Sequence, residues 1–243
     1  MITSKDNNTI KLCQKIKNKK YSRECGLCFV ETYKVIKELY NSNLLDVILV
    51  NHDKLHLFDN FNNIKIETIS SELCEFLSDT STNDGVFAIC KIPENKNIDY
   101  SKCIILDNIQ DPSNIGAIIR SAKAFGYNTI LSINSVYPYT YKCIRSSMSY
   151  IFSVNYIDIS YSQLENIKKD KDLTIVTADM NGENIDNFHK NFNNFAIVIG
   201  NEGNGISDSV IKLSDKVVSI PMDNSVESLN ASISASILMY LLK

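Results

Sequence analysis

The segment Ile105-Leu-Asp-Asn-Ile-Gln-Asp-Pro-Ser-Asn-Ile-Gly-Ala-Ile-Ile-Arg-Ser-Ala-Lys-Ala-Phe-Gly126 decides how this chain reads. It opens on the end of an apolar run over 103–106, the kind that fills a strand buried on both faces. Asp111-Pro112-Ser113 then starts a helix, because proline lacks an N–H that the first turn would leave unpaired and already has a helical φ. Apolar residues recur at helical spacing over 113–125, and Gly126 predicts the stop, since glycine takes a left-handed conformation without strain. Strand, loop and helix in this order make the unit of a parallel sheet, whose ligands collect beyond the carboxyl ends of the strands. Asn114, in the first helical turn, falls there. Arg120 lies about 600° further round the helix, so its long side chain must reach back or across to share the site.

Outward from this unit the alternation repeats. Strands are expected over 103–106, 129–133, 174–178, 195–199 and 217–220, and helices over 113–125, 139–148, 161–169, 206–213 and 228–242. That is an α/β architecture with a mostly parallel sheet covered on both faces. The N-terminal part reads as a second, smaller α/β domain. Its strands are expected over 26–30, 44–50, 64–68 and 85–92, with helices over 32–41 and 71–77. A polar stretch after Pro93 reads as a linker, giving a basic arm plus small domain over 1–97 and a larger domain over 98–243.

Glycine and proline are scarce, eight and four in 243 residues, which excludes collagen-like, linker-like and proline-rich disordered chains. Each one therefore marks a place that needs it. Five of the glycines and two of the prolines fall in three short segments. The first is quoted above. The second, Ile197-Val-Ile-Gly-Asn-Glu-Gly-Asn-Gly-Ile-Ser207, is again a strand ending in a glycine-rich loop. Its spacing fits neither a dinucleotide fingerprint nor a P-loop. A carboxylate, Glu202, sits amid the bare backbone, which argues against phosphate and suits a cationic or hydroxyl-bearing ligand. In the third segment, Val218-Ser-Ile-Pro-Met-Asp-Asn-Ser-Val-Glu-Ser-Leu-Asn-Ala-Ser-Ile-Ser-Ala-Ser-Ile-Leu-Met239, Pro221 ends a strand and Ser228 is placed to cap the last helix. Asn230 then falls in its first turn, and the small residues that follow suit tight packing or a dimer seam.

Charge and cysteines add less. The net charge is −3, yet residues 1–23 carry seven basic groups against Asp6, and the rest 18 basic against 27 acidic. Lys11, Lys15 and Lys19 share one face if 6–19 is a helix, with Ile10, Cys13 and Ile16 packed beneath, and such a basic face is suited either to phosphate or simply to solvent. The polar N-terminus and the lack of any long apolar run predict no leader and no membrane span, and seven cysteines then fit a reduced cytoplasmic protein. Cys25-x-x-Cys28 and His52-x-x-x-His56 have a zinc-like pattern, but the 23 residues between the pairs exceed a small finger, so no metal is expected.

Asp111-Pro-Ser-Asn-Ile-Gly-Ala-Ile-Ile-Arg120, Ile199-Gly-Asn-Glu-Gly203 and Ile220-Pro-Met … Ser228-Leu-Asn230, in this order, resemble the motifs of the SpoU (TrmH) family of RNA ribose methyltransferases in the SPOUT superfamily. Lys142-Cys-Ile-Arg-Ser-Ser-Met148 is similar to the family's stretch between the first two motifs. Tyr21-Ser-Arg-Glu … Phe29-Val-Glu31 and Asp84-Gly-Val-Phe-Ala88 resemble its small substrate-binding domain. Two residues depart from the pattern, Thr32 and Ser149, where many members have glycine.

The resemblance implies a C-terminal SPOUT-type parallel sheet with a deep trefoil knot, a homodimer, and S-adenosylmethionine as cofactor. It implies methylation of a ribose 2′-hydroxyl, with ribosomal RNA favoured over tRNA. Arg120 is then the base or the stabiliser of the developing alkoxide. Asn114, Glu202 and Asn230 hold Arg120 and the target ribose, and Ser228 binds the adjacent phosphate. Backbone of Gly200, Ile220 and Leu229, with Met222, contacts the cofactor, and Thr177 and Ala178 border its adenine. The rival expectations are tRNA ribose methylation by the same chemistry and a non-catalytic RNA-binding protein that keeps the fold.

Overall fold

Asn7 and Asn18 each turn a side-chain oxygen onto unpaired N–H groups of the following turn. They start two helices, α1 (Asn8–Ile16) and α2 (Lys19–Cys25), where periodicity predicts one over 6–19. Gly26, at φ +66°, ends α2, so β1 (Leu27–Glu31) begins after it. The computed structural model describes residues 1–80, 83–188, 191–223 and 225–242. After β1 come α3 (Tyr33–Leu39), β2 (Leu45–Asn51), β3 (Lys65–Ile69), α4 (Ser71–Leu77) and β4 (Val86–Lys91). The four strands form one sheet in the order β1-β4-β2-β3, with only β2 and β3 parallel. Ile10, Cys13 and Ile16 of α1 are buried against Phe29, Phe87 and Ile89, as the spacing of the arm predicts.

The larger sheet is all parallel. Its elements are β5 (Lys102–Asp107), α5 (Pro112–Phe125), β6 (Thr129–Ile133), α6 (Tyr141–Ser146), β7 (Asn155–Asp158), α7 (Tyr161–Asp170), β8 (Leu173–Asn184), β9 (Asn194–Ile199), α8 (Asp208–Ile211), β10 (Lys216–Ser219) and α9 (Ala231–Leu241). The strand order is β10-β8-β9-β5-β6-β7. Asp111 caps α5, Pro112 occupies its first turn, and Gly126 at φ +81° ends it, as the sequence predicts. Strand β7 has no counterpart in the expected set, because four residues at a sheet edge carry too little apolar pattern. Strand β8 runs past the expected end at 178. Its pairing with β10 jumps from Val217↔Thr177 to Val218↔Glu183, so residues 178–182 leave the ladder.

The chain divides into two compact units, Met1–Pro93 with Tyr139–Phe152, and Glu94–Pro138 with Ser153–Lys243. A boundary at 97/98 keeps 139–152 in the C-terminal part. In the structure α6 buries Cys143 and Ile144 and packs on β1, so this segment groups with the N-terminal unit. Both departures from the family pattern lie in that unit, and both have left-handed backbone. Thr32 has φ +91° and Ser149 φ +69°, so each side chain stands where glycine is the unstrained residue.

Candidate active site

Three segments meet beyond the carboxyl ends of β5 and β9. The Asn114 amide, in the first turn of α5, donates from Nδ2 to Glu202 Oε1 at 2.7 Å. Asn230 Nδ2 donates to Asn114 Oδ1 at 3.0 Å. The remaining Asn230 oxygen accepts from the backbone N–H and hydroxyl of Ser232 and so caps α9. The polarity of this chain is self-consistent. A carboxylate only accepts, so the Asn114 amide nitrogen faces Glu202, its oxygen faces Asn230, and Asn230 must present its own nitrogen. Asn114 is buried, whereas Glu202 and Asn230 are exposed.

The loop that carries Glu202 is folded tightly on itself. A Cβ on Gly200 would sit 2.5 Å from the Gly205 carbonyl carbon and 2.6 Å from Ile206 N. Glycine is thus required there by the protein's own backbone, before any ligand is considered. Asn201 accepts from the N–H groups of Gly203 and Asn204 and donates to the Asn108 carbonyl at 2.8 Å. Below it, Asp107 is fully buried at the end of β5 and accepts from Asn108 Nδ2, the Tyr161 hydroxyl and Ser207 N–H. Against this loop lies a cavity of about 380 Å³. Its walls are Ala178 to Met180 where β8 leaves the ladder, the Gly200–Ile206 loop, and the stretch from Ile220 to Ala231. Asp179, Glu202 and Glu227 supply three carboxylates, and no Lys, Arg or His lines it among the described residues.

The model of the SpoU rRNA Methylase family matches residues 101–240, which include all three segments. The chain belongs to the SpoU family. One relative, the 23S rRNA (guanosine(2553)-2′-O)-methyltransferase RlmP of Bacillus subtilis, is 26% identical over 245 residues, covering 100% of this chain and 98% of its own length. Another, the 23S rRNA (adenosine(1067)-2′-O)-methyltransferase of Streptomyces azureus, is 24% identical over 98% of this chain and 87% of its own. Among solved structures, the SpoU methyltransferase AviRb from Streptomyces viridochromogenes in complex with AdoMet matches with a TM-score of 0.86 at 22% identity, over 97% of each chain. This SpoU family member therefore shares the α/β fold with its parallel sheet.

Within this SpoU chain the motif residues separate into two groups. Asn114, Glu202 and Asn230 are joined directly, and Ala178, Gly200, Ile220, Met222, Ser228 and Leu229 line the cavity. Arg120 and Thr177 do not. Arg120 is exposed on α5 and makes no hydrogen bond or ion pair among the described residues, so it is not held by Asn114, Glu202 and Asn230 within one chain. The reason is angular: six residues on a helix return a side chain to the far side of the turn that carries Asn114. Thr177 is buried in β8, its hydroxyl spent on Ser214 Oγ at 2.8 Å and the Lys216 carbonyl. Ser228 is not the cap of α9, because the helix starts three residues later and Asn230 takes that place.

Asp107, Asp179 and Glu227 lie outside the motif residues, and Asn201 lies within the second motif but carries no role there in the sequence reading. A carboxylate closing the apolar run at 103–106 was a legible sign for Asp107. The cavity position of Asp179 depends on the excursion of β8, which has no local signature. No group of three or more His, Cys, Asp or Glu is placed to hold a metal among the described residues, and Cys28 of the zinc-like pattern is buried in β1.

Proposed function

We propose that this chain is an S-adenosylmethionine-dependent RNA methyltransferase that modifies a ribose 2′-hydroxyl, in ribosomal rather than transfer RNA. The observation that carries this reading is the cavity walled by the second and third motif segments and tied to the first through Asn114, Glu202 and Asn230. Relatives matching over nearly the whole chain that are named as 23S rRNA 2′-O-methyltransferases support the substrate class.

The residues present fit the cofactor. A cavity of about 380 Å³ is within the range of small-molecule sites. It offers backbone at Gly200, Ile220 and Leu229, apolar walls at Ile199, Ile206 and Met222, and carboxylates without a neighbouring cation, which suits a sulfonium and an ammonium. The cofactor when bound supplies an electrophilic methyl group. What the protein must add is stabilisation of negative charge developing on the ribose oxygen. A guanidinium remains protonated in ordinary surroundings and offers forked donors, so Arg120 acts as the alkoxide stabiliser. Asn114 and Asn230 orient the ribose, and Ser228 takes the adjacent phosphate.

Arg120 enters the site in a homodimer. The exposed Ile233, Tyr240 and Leu241 of α9, together with the small residues of that helix, form the apolar seam between copies. The C-terminal unit is threaded as a deep trefoil knot. Family membership supports this. No helix among the described residues is long and apolar enough to cross a membrane, in keeping with an enzyme acting on RNA in the cytoplasm.

The test is methyl transfer to rRNA from radiolabelled S-adenosylmethionine, with the modified ribose mapped. Arg120→Ala should lower the rate by about 100–1,000-fold, the cost of one transition-state donor, while calorimetry shows the cofactor still bound. Undiminished transfer by the variant refutes the role of Arg120. Absence of cofactor binding by the wild-type protein refutes the reading as a whole.

A further inference from the structure

Two consecutive residues at the end of β5 hold both ends of the loop that carries Glu202. At its start, Asn201 Nδ2 donates to the Asn108 carbonyl at 2.8 Å, and at its end Ser207 N–H donates to Asp107 Oδ2 at 2.7 Å. The Ser207 hydroxyl is buried without a hydrogen-bond partner among the described residues, so the backbone N–H is the Ser207 group that fastens this end. The other carboxylate oxygen, Oδ1, accepts from Asn108 Nδ2 at 2.7 Å and from the Tyr161 hydroxyl at 3.1 Å. Asn108 Nδ2 also reaches that hydroxyl at 3.1 Å, which closes a triangle of side chains. Asn108 can fold back in this way because its backbone is left-handed, at φ +59°, a conformation that asparagine tolerates. Tyr161 is the first residue of α7, so that helix braces the same oxygen.

Such a carboxylate is costly to keep. Asp107 is fully buried, and a dehydrated carboxylate is tolerated only where donors replace its water. Three donors do so here, and one of them belongs to the loop. The dependence therefore runs both ways: Asp107 fixes Ser207, and a loop that leaves would strip the carboxylate of a donor. The stretch between Ser207 and Glu202 is short and closed by the Asn201–Gly205 backbone pair. A shift at Ser207 is thus passed on to the Gly200 backbone and to the bond between Glu202 and Asn114.

We infer that Asp107 is a positioning residue for methyl transfer. Seated by Asn108 and Tyr161, its carboxylate sets the Gly200–Ile206 loop, and through it the backbone facing the cofactor and the Glu202–Asn114 bond, while lying outside the cavity wall itself. This rests on the reading of the cavity as the S-adenosylmethionine site.

The test compares Asp107→Asn and Tyr161→Phe with Ile105→Val, which trims one buried methylene from the same strand. An asparagine at 107 has one acceptor oxygen for donors that approach from two sides, so either Ser207 N–H or Asn108 Nδ2 is left facing a donor. Hydrogen exchange of the full chain without cofactor should show the amides of Gly203, Asn204, Gly205 and Ser207 exchanging about 10-fold faster in Asp107→Asn, with those of β6 unchanged. Calorimetry should show S-adenosylmethionine bound about 10-fold more weakly. In methyl transfer kcat should fall about 10–100-fold, while KM for RNA stays within about twofold. Tyr161→Phe leaves Oδ1 its Asn108 donor, so the same changes should appear at about threefold. Ile105→Val should lower the melting midpoint and leave loop exchange, cofactor affinity and kcat as in the wild type. Loop exchange and cofactor affinity at wild-type levels in folded Asp107→Asn, or altered equally by Ile105→Val, overturn the proposal, because a carboxylate that merely supports the fold gives that result. If Asp107→Asn does not fold, Tyr161→Phe decides, and unchanged loop exchange and affinity in it overturn the proposal. A wild-type protein that binds no S-adenosylmethionine refutes the methyltransferase reading, and the loop exchange then decides by itself whether Asp107 sets the loop.

Discussion

Replacing Gly200 by alanine should disable the site from within the protein. The added Cβ would lie 2.5 Å from the Gly205 carbonyl carbon, 2.6 Å from its oxygen and 2.6 Å from Ile206 N. Ordinary carbon contacts need about 3.5 Å, so the loop must move by roughly 1 Å. All three clashing atoms are backbone, and no side-chain rotation relieves them. The loop is pinned by the Asn201–Gly205 backbone pair and by Asn201 on the Asn108 carbonyl, so the shift loosens those bonds and carries Glu202 away from Asn114. Overpacking of this kind costs about 1–3 kcal/mol, and displacing a positioning group by 1 Å costs about 100-fold in rate. Gly203→Ala is the matched control, because its Cβ would meet only Asn201 Oδ1, at 3.7 Å. Urea unfolding should show Gly200→Ala destabilised by that amount and Gly203→Ala near wild type. Calorimetry should show cofactor affinity lost in the first variant alone. Equal midpoints and equal affinities for the two variants would refute the claim that Gly200 answers to the Gly205–Ile206 backbone.

Two further outcomes follow from backbone strain and burial. Thr32→Gly should stabilise the protein by about 1 kcal/mol, since relief of strain at φ +91° outweighs the entropy cost of glycine, and Ser149→Gly at φ +69° should gain less; chemical denaturation measures both, and destabilisation by Thr32→Gly would contradict the strain. Six of the seven thiols are buried and only Cys25 is exposed. Burial pushes Cys13, Cys103 and Cys143 up to about 12 and raises Cys28, Cys74 and Cys90 as well, so their reactive thiolates are scarce at neutral pH. Brief iodoacetamide treatment at pH 7 should add one adduct per chain by mass spectrometry, and several fast adducts would mean that the cores open readily.

Much of the C-terminal sheet was legible because its signals are local. The apolar run at 103–106, the Asp111-Pro112 start and the Gly126 stop each act over a few residues, and the structure has them where the sequence puts them. The arm was half legible. Burial of Ile10, Cys13 and Ile16 follows from spacing, but the cap at Asn18 competes with continued helix and wins, which moves the exposed cations. The last helix shows the same competition, with Asn230 displacing Ser228 as the cap. At Thr32 and Ser149 the departure from a glycine pattern was visible in sequence, but its meaning as left-handed backbone was not.

The sequence by itself determined the strand and helix units, the three motif segments and the family, because periodicity, capping and chain reversal are properties of neighbours. Tertiary structure alone decided what those segments do to one another. Asn114 meets Glu202 across 88 residues and Asn230 across 116, residues 178–182 leave their ladder to wall the cavity, and α6 returns to β1. Arg120 carries the same lesson in reverse, since it belongs to the motif yet stands outside the cluster. Contacts between distant residues depend on the path of the whole chain through space, and no local pattern encodes that path.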